Sequence, residues 1–351
     1  MTLLEFSVSF LHHSWLIGQT YSSNTSYIPP FTLNLPSGKT GGCHAEIRVF
    51  EFFPILVSFD FLIRYQMNIQ KLQIPARDGY QLSARLFSPK GESKGVIQIH
   101  CGTGIPQKLY ANFASFLAES GFTAVTFDYR GVAESAPESL KDSDAKIRDW
   151  GRLDMSGVFD WVLTNYPNQK KIIAAHSMGG QMIGLMDNHD QIDHIFMIAS
   201  STGYWRDMSS PYKWLPAFFW YFLIPLHTKL FGYVNAMKIK QGENLPKGVA
   251  LEWRKWCTHP DYFEPEFTKT LEPVFFDKIT TPIKSIQIED DPLANKVTAN
   301  KLLKFFSNTK IEVQEIRPAD YGQEKIGHTG FFSRKFKQSL WKNILLEMEL
   351  A

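Results

Sequence analysis

The 351-residue sequence has little cysteine and almost no net charge. Its three cysteines, Cys43, Cys101 and Cys257, are far apart and odd in number, and no CxxC or Cys/His spacing accompanies them. That argues against a disulfide framework and the common zinc sites; reduced thiols in a cytoplasmic protein are the expectation, with no metal and no cofactor. Thirty-seven Lys and Arg against 35 Asp and Glu leave a net charge of +2. No basic patch stands out, so no nucleic-acid partner is expected. No Lys or Arg precedes Lys39, so the positive start of a secretory signal is missing. The most apolar early run, residues 49–63, is broken by Glu51 and Asp60 and is short for a bilayer span. Internal repeats and low-complexity tracts are also missing.

What is present is an ordinary globular composition, 44% hydrophobic and 21% charged, enough for one large α/β domain with an insertion. Residues 1–66 differ from the rest and carry clusters such as "SSNTSYIPPF". They are expected to be an N-terminal extension upstream of a natural start at Met67, the alternative being a poorly ordered extension or a surface anchor. From Met67 strands and helices alternate. "KLQIPA" and "QLSARLFSP" read as a hairpin across Arg77-Asp78-Gly79. "GVIQIH" (95–100), "FTAVTFDYRG" (122–131), "KIIAAH" (171–176), "IDHIFMIAS" (192–200), "IKSIQIED" (283–290) and "KIEVQEI" (310–316) read as strands. Helical spacing fills 110–121, 147–167, 178–188, 294–308 and the region near 333–349. Such alternation implies a mainly parallel sheet covered on both faces.

Residues 203–275 interrupt the pattern. Five of the nine tryptophans lie there, and "WLPAFFWYFLIPL" (214–226) is apolar almost all round. The expected architecture is a core of residues 67–202 and 276–351 with a helical cap at 203–275. Packing between cap and core is one use for the apolar run; an apolar substrate pocket, or peripheral contact with a membrane surface, is another.

The stretch "KKIIAAHSMGGQM" (170–182) carries the chemistry. A buried strand stops at His176-Ser177 and the chain restarts as a helix behind two glycines. A sharp strand-to-helix turn lifts a serine hydroxyl clear of a sheet, and the positions two before and two after it must be small. Ala175 and Gly179 satisfy this, with alanine where the usual G-x-S-x-G pattern has its first glycine. A serine is a weak nucleophile unless a base removes its proton, and the chain order expected for this arrangement is Ser, then Asp or Glu, then His. "IEDDPLANKV" supplies Asp290 and Asp291 at the end of a strand, and "IGHTGFF" supplies His328 in a glycine-flanked loop. Asp291 is preferred, because "DPLA" resembles the turn that often follows such an acid; Asp290 remains the alternative. His176 should point away from the serine hydroxyl. The glycine-rich loop "IHCGTGIPQ" (99–107) sits where a second oxyanion donor belongs. The backbone amides of Gly102 and Met178 are the expected pair, with Thr103 next, and His100 is expected to brace the loop.

On "GTGIPQKLY", "FDYRG", "AHSMGGQ", "GYWRD", "GVALEWRKWC", "DDP" and "IGHTGFF", the chain resembles the α/β-hydrolase superfamily, and within it a bacterial group related to serine aminopeptidases and lysophospholipase-like hydrolases. The resemblance covers about residues 67 to 349. It implies an α/β-hydrolase fold with an inserted helical cap and a triad of Ser177, Asp291 and His328. The expected activity is cofactor-independent hydrolysis of a small-molecule ester or thioester with an apolar acyl group. A small-peptide amide hydrolase, and a non-catalytic binding protein on the same fold, stay open as alternatives, and the oligomeric state is unknown.

Overall fold

The computed structural model describes residues 68–237 and 242–350. The expectations for residues 1–66, the start at Met67 and Cys43 lie outside them. Eight strands form one sheet in the order β1-β2-β4-β3-β5-β6-β9-β10. β1 (Asn68–Pro75) and β2 (Gln81–Ser88) are an antiparallel hairpin in register from Asn68↔Ser88 to Pro75↔Gln81. Gly79, at φ 87°, makes the turn between them, where a side chain would be strained. β2 pairs antiparallel with β4 (Thr123–Phe127). From β4 onward every pairing is parallel, through β3 (Val96–His100), β5 (Lys171–His176), β6 (His194–Ile198), β9 (Ile283–Ile288) and β10 (Ile311–Ile316).

The strand sequences explain their places. β3, β4 and β9 are buried at every position, and β5 and β6 at all but the first, because helices cover both faces of a parallel sheet. β10 is largely exposed and carries Glu312, Gln314 and Glu315, as suits an edge that must not recruit another strand. Chain order turns at β3: β4 lies on one side of it and β5 on the other. In open α/β sheets, ligands bind outside the carboxyl ends of strands at such a switch point. The loop holding Gly102 and the turn holding Ser177 follow neighbouring strands paired at His100↔Ala175, so they emerge side by side there.

Two expected helices differ in form. The segment 147–167 runs as Ile147–Asp149, a π-helix at Trp150–Met155, and the α-helix Ser156–Asn165. The wider turn seats Asp154 fully buried, with its carboxylate on the Nε and backbone N–H of Arg130, both at 2.7–2.9 Å. Behind Ser177 the α-helix is only Met178–Gln181 and passes into a 3-10 turn at Ile183–Leu185. Glycines 179, 180 and 184 shorten it, since each allows a neighbour's atoms where a Cβ would stand.

Between β6 and β9 the chain leaves the sheet. Helical turns run from Trp214 to Phe231 as Trp214–Phe218, a π-helix at Phe219–Leu223, and Ile224–Phe231. A two-residue antiparallel pair follows, β7 (Tyr233–Val234) with β8 (Leu245–Pro246), and then the helix Lys247–Cys257. These elements reach the loops at the sheet's carboxyl edge. The Glu243 N–H donates to the Gly104 carbonyl, the Ser209 N–H to that of Pro292, and the Tyr262 hydroxyl to Gln181 Oε1.

Arg130 is itself buried and is shared between Asp154 and the partly exposed Asp78. Asp154→Ala would leave the buried Nε and backbone N–H of Arg130 without their acceptor, with only the partly exposed Asp78 still on the guanidinium. Urea unfolding should show a loss of about 3 kcal/mol, well above the loss on removing the exposed pair Arg317–Asp320 the same way.

Candidate active site

Ser177 ends β5 in a backbone conformation that side chains rarely adopt, φ 52° and ψ −114°. Strain of this kind costs about 1–3 kcal/mol and persists only where the surroundings over-determine it. Here they do. The Ser177 N–H donates to the Ile198 carbonyl at 3.0 Å, tying the turn to β6. A Cβ on Gly179 would lie 2.6 Å from His100 Cβ and 2.8 Å from its carbonyl oxygen, so the chain passes His100 at a distance only glycine permits. Gly180 packs as closely on the Ser200 hydroxyl, which donates to the Ala175 carbonyl at 3.3 Å. Ala175 is fully buried, so the extra methyl at the first small position of the motif is accommodated.

The hydroxyl so presented meets His328. Ser177 Oγ is 2.9 Å from His328 Nε2, and His328 Nδ1 is 2.6 Å from Asp291 Oδ2. Asp291 follows β9 and is almost wholly buried. Its other oxygen accepts N–H bonds from Leu293 and Ala294 at 2.8 and 3.0 Å. Burial by itself would raise this acid, but the charge and hydrogen bond of His328 and the two amides together hold its carboxyl below the usual carboxylate range. A carboxylate fixed at Nδ1 puts the imidazole proton there and leaves Nε2 free to accept from the serine.

The two aspartates, of which the sequence favours Asp291, have separate positions. Asp290 does not touch the imidazole. It accepts the Ile326 N–H at 3.0 Å and the Gly327 N–H at 3.0 and 3.1 Å, clamping the backbone just before His328. Gly327, at φ 63°, makes the turn this clamp needs.

His176 points away from Oγ. Burial pushes its pKa down to about 3, so it is neutral and carries one ring proton. Its Nε2 lies 2.9 Å from the His328 carbonyl, which can only accept, so the proton is on Nε2. Nδ1 then accepts from the Tyr110 hydroxyl at 2.8 Å. The Tyr110 oxygen in turn accepts the Gly102 N–H at 2.8 Å. This corrects the expectation for Gly102: its amide is turned inward to Tyr110 and is not offered to a ligand. Met178, the other expected donor, is the first residue of its short helix, and such a residue has no intrahelical carbonyl for its N–H. His100 is buried, neutral at a pKa pushed down to about 3, and packs against Gly179, so it braces the serine turn more directly than the loop.

Sequence reasoning missed Tyr110 and the clamp at Asp290. The Asp-Asp doublet was the available signal for the second, while nothing local marks Tyr110 as the partner of a histidine 66 positions away. Among the described residues no cluster of His, Cys, Asp or Glu has the geometry to hold a metal ion, and no helix is long and apolar enough to cross a membrane.

Residues 91–244 match the family model described as serine aminopeptidase, S33. No curated protein matches the chain. Among solved structures, the Pyrococcus horikoshii acylaminoacyl peptidase superposes with a TM-score of 0.50 at 15% identity, over 83% of this chain and 42% of that one. A thermostable carboxyl esterase from Bacillus coagulans (TM-score 0.49, 15% identity, 80% of this chain and 98% of that one) and the Pyrococcus furiosus esterase Pf2001 (0.48, 14%, 81% and 90%) are similar too.

Two outcomes follow from the site's construction. Asp290→Ala should raise hydrogen exchange at the Ile326 and Gly327 amides by roughly tenfold or more, the equivalent of about 1.5 kcal/mol per lost charge-assisted bond. Because the native pKa of Asp291 is depressed, the stability it contributes is fully present above the ordinary carboxylate range near about pH 4 and is lost as pH falls through the native value. The wild type should therefore exceed Asp291→Asn in urea midpoint at neutral pH, with the gap closing on acidification below about pH 4.

Proposed function

We propose that this chain, a serine hydrolase of the α/β-hydrolase superfamily, cleaves an ester or thioester with an apolar acyl group, using Ser177, His328 and Asp291 as a catalytic triad. The observation that carries the reading is the unbroken hydrogen-bonded path from Asp291 through His328 to a serine held at positive φ. In this reading Ser177 Oγ attacks the carbonyl carbon while His328 Nε2 takes its proton. Asp291 stabilises the imidazolium that results. The carbonyl oxygen, now an anion, receives the Met178 N–H and, with Gly102 engaged elsewhere, the Thr103 N–H. Each such donor lowers the barrier by about 3–4 kcal/mol. His328 then returns the proton to the leaving alcohol or thiol. Water, deprotonated by the same imidazole, releases the acyl group and regenerates Ser177.

The acyl preference rests on composition. The insertion between β6 and β9 holds five tryptophans, and residues 214–226 include no charged side chain. The expected cap at 203–275 is kept in this reading as the element that shapes the acyl pocket. The matched family's description favours a second reading, amide hydrolysis at a peptide N-terminus.

A fluorophosphonate probe should label the wild type and leave Ser177→Ala unlabelled. A panel of p-nitrophenyl esters of rising chain length, run beside aminoacyl p-nitroanilides, separates the two substrate classes. Ester turnover that falls about 10³-fold or more in Ser177→Ala supports the proposal. Labelling of the alanine variant would sink the triad, and turnover confined to the anilides would replace ester by amide chemistry.

A further inference from the structure

The helical run from Trp214 to Phe231 has two unlike faces. Pro216, Ala217, Trp220, Ile224, His227 and Thr228 are buried. Trp220 meets Trp253 edge to face at 4.5 Å, and its carbonyl accepts from Arg254 Nε at 2.6 Å. Trp220 therefore faces into the protein and cannot serve the surface contact that its place in the apolar run suggested. The opposite face is exposed and apolar: Trp214, Phe218, Phe222, Leu226 and Leu230 recur every fourth residue, at 37–63% exposure, with Tyr221 beside them. A ridge of that size on water is costly unless something covers it.

We propose that this ridge is an interfacial helix that lies on an anionic lipid bilayer. Charge selects that occupant over a protein partner or a second copy. From Met208 to Gly242 the sequence has no aspartate or glutamate, while Lys213, Lys229, Lys238 and Lys240 are all basic. Cations stand against the aromatic rims: Lys213 Nζ lies 5.9 Å from the Trp214 ring, Arg254 5.8 Å from that of Tyr221, and Arg206 5.2 Å from that of Trp205. Large apolar side chains with tryptophan and tyrosine along one face, bordered by Lys and Arg, are the chemistry by which a helix settles at the level of lipid head groups. The ridge also adjoins the site. Ser209, just before it, donates its N–H to the carbonyl of Pro292, the residue after Asp291. A bilayer against this face would thus lie beside the turn that holds the buried carboxylate. The inference does not depend on the chemistry of Ser177.

The test is co-sedimentation of the full chain with vesicles of phosphatidylcholine alone and of phosphatidylcholine with phosphatidylglycerol. Wild type and Phe218→Asp/Phe222→Asp are compared, with near-ultraviolet circular dichroism and thermal melting as controls for folding. Wild type should bind the anionic vesicles more tightly than the neutral ones, more weakly as salt is raised, and about tenfold or more tighter than the double variant. Ser177→Ala should bind as wild type does, which separates this result from any failure of the proposed hydrolysis. Should the double variant melt early, Leu230→Asp at the far end of the same ridge carries the comparison. Equal binding by wild type and variant would assign the lipid contact to another part of the chain and overturn the proposal. So would no binding by wild type, or a wild-type dimer that the double variant abolishes without any vesicle binding.

Discussion

The site depends on one strained residue. At φ 52° Ser177 would relax if its surroundings let it, and the hydroxyl would then fall back toward the sheet. The restraint is contact at distances that permit no adjustment. Gly179 passes over the His100 backbone, Gly180 over Ser200, and the Ser177 amide is bonded across to β6. Glycine at 179 and 180 thus answers to the packing of two neighbouring strands as well as to the turn. The switch of direction at β3 is the larger frame for the same constraint, because it places β3 and β5 side by side and makes the close approach of His100 and Gly179 unavoidable.

Around that residue three carboxylates have three different tasks set by surroundings. Asp291 is buried, accepts two amides and the imidazole, and stays ionised. Asp290, its neighbour in sequence, accepts backbone N–H groups and holds the histidine loop in place. Asp154 lies on the π-helix and is the counter-ion of Arg130. Residue type alone does not separate them; the groups that face each oxygen do.

Much of the sheet was readable from the sequence because its periodicities are strong. The buried β-branched runs at 96–99 and 172–173 could hardly be surface strands, and "AHSMGGQ" carries its own steric logic. The ordered Ser, Asp and His could be chosen because chain order limits the candidates. Gly102 was misjudged for a definable reason. A glycine-rich loop after a strand announces close approach to something, but not whether its amide faces outward to a ligand or inward to Tyr110. The helix behind Ser177 was drawn too long because its apolar spacing continues past Gln181, while the glycines that end it act through tertiary contacts with Ser200 and Phe276. Trp220 shows the same limit: in a run apolar all round, periodicity cannot tell the inner face from the outer.

The neutral imidazole at 176 joins two parts of the site that are distant in sequence. Through Tyr110 it holds the Gly102 loop, and through its own Nε2–H it holds the backbone of His328. The loop holding Gly102 and the loop holding His328 are thereby a single mechanical body. Neither can swing aside to admit a ligand without first exposing buried, unmatched polar atoms. Disturbing either loop therefore disturbs the other, although more than two hundred positions separate them in the chain.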